Sequence, residues 1–260
     1  MASLDGMDEP QLRIYLAGNI ALERGDTLVP ESRLPGGQGR LAFALLASER
    51  SDALSTAHIA DVLWDGAPPR SWGTALRAIV SKLRGVLAET GSTASIEHAF
   101  GCYQLRLPPD TWVDTEAAAA NAHDAEVFLK TGDLAAANGA ALVANAIARR
   151  PFLEGADGEW VRQQRAQLRG IQVRALTCRA EIALENGDNA GAVGDAERII
   201  TLEPFRERAY VTLMRAHVDA GNNAEALATY ERLRATLASE FGANPSPDTE
   251  AAFLDVLRAT

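Results

Sequence analysis

Hydrophobic and polar positions are patterned in two ways along this chain, and the change falls near Pro108-Pro109. Before it, short mixed segments predict strands over Leu12–Ala17 and Asn19–Glu23 around a turn at Gly18. Arg24-Gly25-Asp26 reads as the next turn before Thr27–Pro30, and Leu34-Pro35-Gly36-Gly37-Gln38-Gly39 as loop. Helical spacing then begins, with Leu41, Ala44, Leu45 and Ala47 as the apolar face of Arg40–Glu49. Ser55 is placed to cap a second helix with Ile59, Val62 and Leu63 inward, stopped by Gly66-Ala67-Pro68-Pro69. Ser71 is placed to cap a third, reaching about Glu89 with Gly91 beyond its end. Ser95–His98 and Tyr103–Leu107 flank Ala99-Phe100-Gly101-Cys102 as a β-hairpin would. Small sheet, three helices, hairpin is the order of a winged helix-turn-helix.

After Pro109 helical spacing runs throughout, over Val113–Thr131, Asp133–Arg149, Trp160–Asn186, Ala190–Leu202, Phe205–Ala220, Asn223–Glu240 and Asp248–Leu257. Gly187 and Gly221 lie 34 residues apart, the tetratricopeptide period. Five residues after each comes Ala192 or Ala226, and four later Ala196 or Tyr230; Gly132, Ala137 and Ala141 repeat the offsets. Paired helices that approach closely need such small residues. The expected fold class is an α+β N-terminal winged helix-turn-helix followed by an all-α tetratricopeptide-like domain, with limits at 10–109 and 110–258.

The third helix carries the chemistry. On a wheel of about 100° per residue, Leu76, Ile79, Val80, Leu83 and Leu87 form one stripe. Opposite it lie Arg70 (if the helix extends that far), Thr74, Arg77, Ser81 and Gly85, with Lys82 and Arg84 on the flanks. One face anchors the helix. The other offers guanidinium groups, hydroxyls and little bulk, which is what a major groove requires. Arg77 and Ser81, then Thr74, suit base edges; Arg70, Lys82 and Arg84 suit phosphates. The wing contributes little to this reading, because it offers Glu97 and His98.

Charge sharpens the picture by opposing it. The 260 residues hold 25 Lys+Arg against 35 Asp+Glu, a net charge of −10, so any DNA contact must be local. Residues 66–88 hold four basic side chains and no acidic one. Composition excludes disordered, collagenous and disulfide-stapled classes, and no apolar run spans a bilayer. The acidic start, Met1 to Glu9, lacks the blocks of a signal peptide. Cys102 and Cys178 read as reduced thiols, so the expected location is cytoplasmic, nucleoid-associated when bound to DNA.

Catalysis finds no motif. His58, His98, His123 and His217 form no metal-ligating pair, and no nucleophile elbow, Walker or Rossmann pattern occurs. No enzyme activity, metal or cofactor is expected. Arg149-Arg150 suits neutralisation of a helix C-terminus, with an acidic partner as the other reading. Trp64, Trp72, Trp112 and Trp160 read as core or interdomain aromatics.

Several of these segments also carry a family resemblance. Leu63-Trp64, Pro68-Pro69, Ala75-Leu76, Val80-Ser81-Lys82-Leu83-Arg84 and Gly101-Cys102-Tyr103-Gln104-Leu105 resemble the OmpR-type winged helix, in the version of the Streptomyces antibiotic regulatory protein family. Pro151-Phe152-Leu153-Glu154-Gly155, Glu159-Trp160, Leu202 to Glu207, Ala226 to Leu233 and Phe241 to Thr249 resemble that family's bacterial transcriptional activator domain. The resemblance implies a transcriptional regulator, an activator by expectation, that binds direct promoter repeats and contacts neighbouring copies of itself and RNA polymerase. The alternative is a tetratricopeptide-like adaptor with weak or lost DNA binding.

Overall fold

The computed structural model describes residues 10–259 of the chain; the acidic start, Met1 to Glu9, lies outside them. Packing groups the described residues into two compact units, those up to 117 with 150–167, and 118–149 with those from 168 onward. The limits 10–109 and 110–258 follow element order instead, and two of the three unit boundaries fall inside helices, Asp114–Thr131 and Glu159–Glu185.

The first unit opens with β1 (Leu12–Tyr15), β2 (Ala21–Arg24) and β3 (Thr27–Pro30), in a sheet ordered β3-β2-β1-β7. β1 stops at Tyr15, short of the expected Ala17, because the next two amides leave the ladder. Leu16 N–H and Ala17 N–H donate to the Asp114 carboxylate at 2.8 and 3.0 Å. Asp114 is fully buried as the first residue of α4 (Asp114–Thr131). Burial pushes its carboxyl above the usual range, against the pull of the Leu16, Ala17 and Thr115 amides. Just before it, β7 (Trp112–Val113) pairs parallel to β1, where the spacing placed the start of a helix at Val113.

Helix α1 (Gly36–Ser48) begins within the segment read as loop. Glycines argue against a helix by propensity, yet Gly39 is required here. A Cβ at Gly39 would sit 2.3 Å from Cγ of Pro35, so only glycine lets the first turn close on that ring. The helix then runs Leu41 to Ala47 without an exposed residue, as a central helix does. Around it pack α2 (Thr56–Leu63) and α3 (Trp72–Glu89). Ser55 Oγ accepts the His58 N–H at 3.1 Å and caps α2 as expected. Val62, expected inward, is half-buried, while Ile59 and Leu63 are buried. Ser71 occupies the cap position of α3 but its hydroxyl accepts nothing there; its carbonyl takes the Thr74 and Ala75 amides. A second sheet, β4-β6-β5, joins β4 (Leu54–Ser55) to the hairpin of β5 (Ser95–Ala99) and β6 (Cys102–Arg106).

Residues 150–167 complete this unit. Ala17 bridges Phe152, Gly18 N–H donates to Pro151 O at 2.7 Å, and Trp160 Nε1 donates to Glu49 at 2.7 Å. Arg165 holds the Phe152-to-Ala156 loop by donating to the carbonyls of Phe152, Leu153 and Ala156 at 2.8–3.0 Å.

The second unit is helical. Its elements are the rest of α4, α5 (Leu134–Ala148), the later part of α6 (Glu159–Glu185), α7 (Asn189–Leu202), α8 (Glu207–Asp219), α9 (Asn223–Phe241) and α10 (Pro247–Ala259). The repeat seen in the sequence is a repeated turn. Asp133, Asp188 and Asn222 N–H donate to the carbonyls of Phe128, Ala183 and His217, five residues back. The preceding glycines, Gly132, Gly187 and Gly221, have φ of 81°, 73° and 77°, the left-handed region this helix ending needs. Ala137, Ala192 and Ala226 are fully buried, where neighbouring helices approach closely. The fold is a winged helix-turn-helix followed by a tetratricopeptide-like helical array.

The ending Pro245-Ser246-Pro247-Asp248-Thr249 has a definite task. Ser246 N–H, Ser246 Oγ and Thr249 Oγ1 all donate to one Glu207 oxygen, at 2.8, 2.7 and 2.6 Å. Burial raises the Glu207 pKa, but the Thr249 and Ser246 bonds outweigh it and hold the carboxyl below its usual range. The start of α10 is thereby tied to the start of α8.

Candidate nucleic-acid interface

Helix α3 divides as its wheel predicts. Leu76, Ile79, Val80, Leu83, Val86 and Leu87 are buried. Thr74, Arg77, Ser81, Lys82 and Arg84 are all exposed. Arg70 is exposed too, but it sits in the turn before the helix, so it does not extend the helical stripe. Arg77 Nη2 donates to Thr74 Oγ1 at 3.3 Å, which brings two of the base-edge candidates together on successive turns. Gly85 lies in open space and leaves the stripe shallow.

Arg84 differs from the other cations. Its Nε and Nη2 both donate to the Ile96 carbonyl, at 2.9 and 2.7 Å, binding the helix to the first strand of the hairpin. The far end of α3 is held by β2 and by the short turn after β3. Arg24 Nη1 donates to Gly91 O at 2.6 Å, and Arg33 pairs with Glu89 at 2.7 Å. The Arg33 hydrogen bond draws the Glu89 carboxyl below its usual range.

The hairpin is joined to the rest by more than sequence reading found. Leu54 and Ser55 pair with Tyr103 and Cys102, and Thr56 N–H donates to Gly101 O at 2.9 Å. The start of α2 and the hairpin tip are therefore tied together. His98 packs on Tyr103, ring centroids 4.5 Å apart, and Glu97 pairs with Arg106 at 3.1 Å. At the tip Phe100 is fully exposed at φ 51°, followed by Gly101 at φ 75°. Sequence reading passed over Phe100 as a turn residue. The available signal was an aromatic in front of glycine at a hairpin tip, a position where burial is impossible.

Among the described residues no group of three His, Cys, Asp or Glu side chains is placed to hold a metal ion, and no helix is long and apolar enough to cross a membrane. Cys178 is buried, and burial pushes its thiol up to about 11, which leaves it unreactive at neutral pH.

The family model described as the bacterial transcriptional activator domain matches residues 113–257. The chain is 31% identical over 249 residues to the regulatory protein AfsR of Streptomyces coelicolor, covering 95% of this chain and 24% of AfsR. It is 25% identical to the regulatory protein DnrI of Streptomyces peucetius, covering 92% of this chain and 89% of DnrI. Among solved structures, EmbR of Mycobacterium tuberculosis, bound there to a low-affinity phosphopeptide, superposes with a TM-score of 0.85 at 24% identity. That match covers 96% of this chain and 66% of EmbR, and it shows a shared fold. The chain thus spans about a quarter of the length of AfsR. With the family model matched over more than half of its residues, and relatives matched across both parts, the chain belongs to the bacterial transcriptional activator domain family, among the Streptomyces antibiotic regulatory proteins.

Proposed function

We propose that the protein is a DNA-binding transcriptional regulator that docks α3 in the major groove of promoter DNA. The observation that carries this reading is the exposed face of α3, which from Trp72 to Ala88 carries cations and no acidic side chain, on an otherwise acidic chain. Its relatives are named as regulatory proteins. Arg77, Ser81 and Thr74 read base edges; Arg70 and Lys82 hold phosphates. Arg84 spends two of its donor nitrogens on Ile96 and keeps Nη1 for a phosphate, so it places the hairpin as well as binding.

A single small module with few cations binds weakly. Two copies on direct repeats add phosphate contacts and avidity, with the helical array contacting a neighbouring copy and RNA polymerase. The acidity of the array suits polymerase surfaces and discourages stray DNA contact. The protein acts in the cytoplasm, on the nucleoid, as an activator and without catalysis. A footprint on DNA upstream of its own gene tests this: two adjacent protected half-sites are expected, and protection of one at saturation removes the tandem arrangement. The net charge of −10 and the acidic Glu97 on the hairpin favour a second reading, an adaptor without DNA affinity. No shift of any promoter fragment at low salt would establish it.

A further inference from the structure

The turn at the hairpin tip runs against its own sequence. Ala99 pairs with Cys102, so Phe100 and Gly101 form a two-residue loop, with φ of 51° and 75°. Positive φ at both positions is what Asn-Gly supplies with least strain, and a bulky aromatic at the first is an outlier. Among the described residues, the other non-glycine positions with positive φ are Asp65 and Leu153. Asp65 is of a type that tolerates the left-handed region, and Leu153 is fully buried, so its packing offsets the strain. The Phe100 ring is fully exposed and gains no such packing. A strained residue without a contact inside the fold points to one outside it.

We propose that Phe100 is a wedge: with α3 in the major groove, its ring enters the neighbouring minor groove, partly unstacks one base step and kinks the duplex there. This rests on the DNA reading above and adds an apolar contact to it. Three observations select that occupant. The hairpin is fastened to the candidate interface, because the Ile96 carbonyl of β5 takes two bonds from Arg84 of α3, and Gly101 O takes the Thr56 N–H. The strands are also poor in cations for phosphates: β5 has none, and Arg106, the cation of β6, pairs with Glu97 at 3.1 Å. A phenyl wedge needs no charge, and Phe is among the side chains that open base steps in this way. Finally, the ring stands alone. Its exposed neighbours Ala99 and Gly101 give it no apolar surround, which is too little surface for a protein partner, whereas a two-residue tip fits a groove about 6 Å wide. Pyrimidine–purine steps unstack most readily, so the wedge selects TA or CA beneath the tip.

The test uses the full chain and a duplex of about 30 base pairs taken from its footprint upstream of its own gene, with the bend read by end-to-end energy transfer. The unaltered protein is expected to bend the duplex. Phe100→Asn suits the turn, so it is expected to keep or raise the melting temperature, to bind about tenfold more weakly and to leave the duplex straighter. The slope of log affinity against log salt is expected to stay the same, because no phosphate contact is lost. Replacing each pyrimidine–purine step in turn by AA is expected to reveal one step that weakens the unaltered protein about tenfold and the variant scarcely. Equal affinity and equal bend for Phe100→Asn overturn the wedge and leave α3 in its groove. A shallower salt slope overturns it as well, in favour of a phosphate contact at the tip. Failure of the unaltered protein to bind any fragment at low salt removes the DNA reading itself, and the wedge with it.

Discussion

The Arg84 guanidinium closes on one acceptor, the Ile96 carbonyl oxygen, from 2.9 Å at Nε and 2.7 Å at Nη2. A planar fork makes that pair of hydrogen bonds; an ammonium on a flexible stem does not. Arg84→Lys is therefore expected to behave like Arg84→Ala in stability, each losing about 1–2 kcal/mol in urea denaturation. Faster hydrogen exchange at the 95–106 amides locates the loss. Full stability of Arg84→Lys would mean that charge alone matters there.

Base reading and phosphate binding separate by salt. Arg77→Ala is expected to cost about 1–3 kcal/mol on the specific site and to relax preference at one position. Lys82→Ala is expected to weaken all sequences alike and to reduce the slope of log affinity against log salt by about 0.9. Titrations at several salt concentrations, on specific and scrambled DNA, measure both. Identical behaviour of the two variants at every salt would remove the division of roles.

Glu207 gathers three donors from the Ser246-to-Thr249 turn. Glu207→Ala is expected to destabilise the second unit by about 1–3 kcal/mol. The folded carboxyl titrates below its ordinary value of 4.5, so its contribution is complete above that pH. The contribution is lost as pH falls below 4.5 through the lower folded value. Chemical denaturation from pH 7 to pH 3 is expected to show the two proteins converging at the acid end.

Two helical glycines three residues or fewer into α1 have opposite requirements. Gly37 has nothing within 4 Å of an added Cβ, and Gly37→Ala is expected to stabilise by about 0.4–1 kcal/mol. Gly39→Ala drives a methyl into Pro35 and is expected to destabilise by about 1–3 kcal/mol. Thermal melts of the pair give the signs directly.

The order of elements was legible because strong periodicity and turn residues coincide. The α3 wheel is an example: five apolar residues at helical spacing, all of them buried. The repeated turns were legible for a similar reason, since a left-handed position selects glycine at Gly132, Gly187 and Gly221. The misses share a cause as well. Gly36 to Gly39 looks like loop until Pro35 is known to pack on Gly39, and Leu16-Ala17 looks like strand until a carboxylate 97 or more residues away takes its amides. Of the candidate interface, the residue types on α3 could be read, whereas the bond from Arg84 to Ile96 depends on how the hairpin folds back.

The α1 and β1 surfaces carry a consequence for anyone dividing the gene. A fragment ending at Pro109 would forfeit Asp114, the parallel strand Trp112–Val113, and the returning stretch with Phe152, Leu153 and Trp160. The amides of Leu16 and Ala17 would lose their acceptor, and the apolar surface beneath Phe152 would meet water. The first unit is thus stitched from two distant stretches of the reading frame, and a fragment holding one without the other is expected to be less stable.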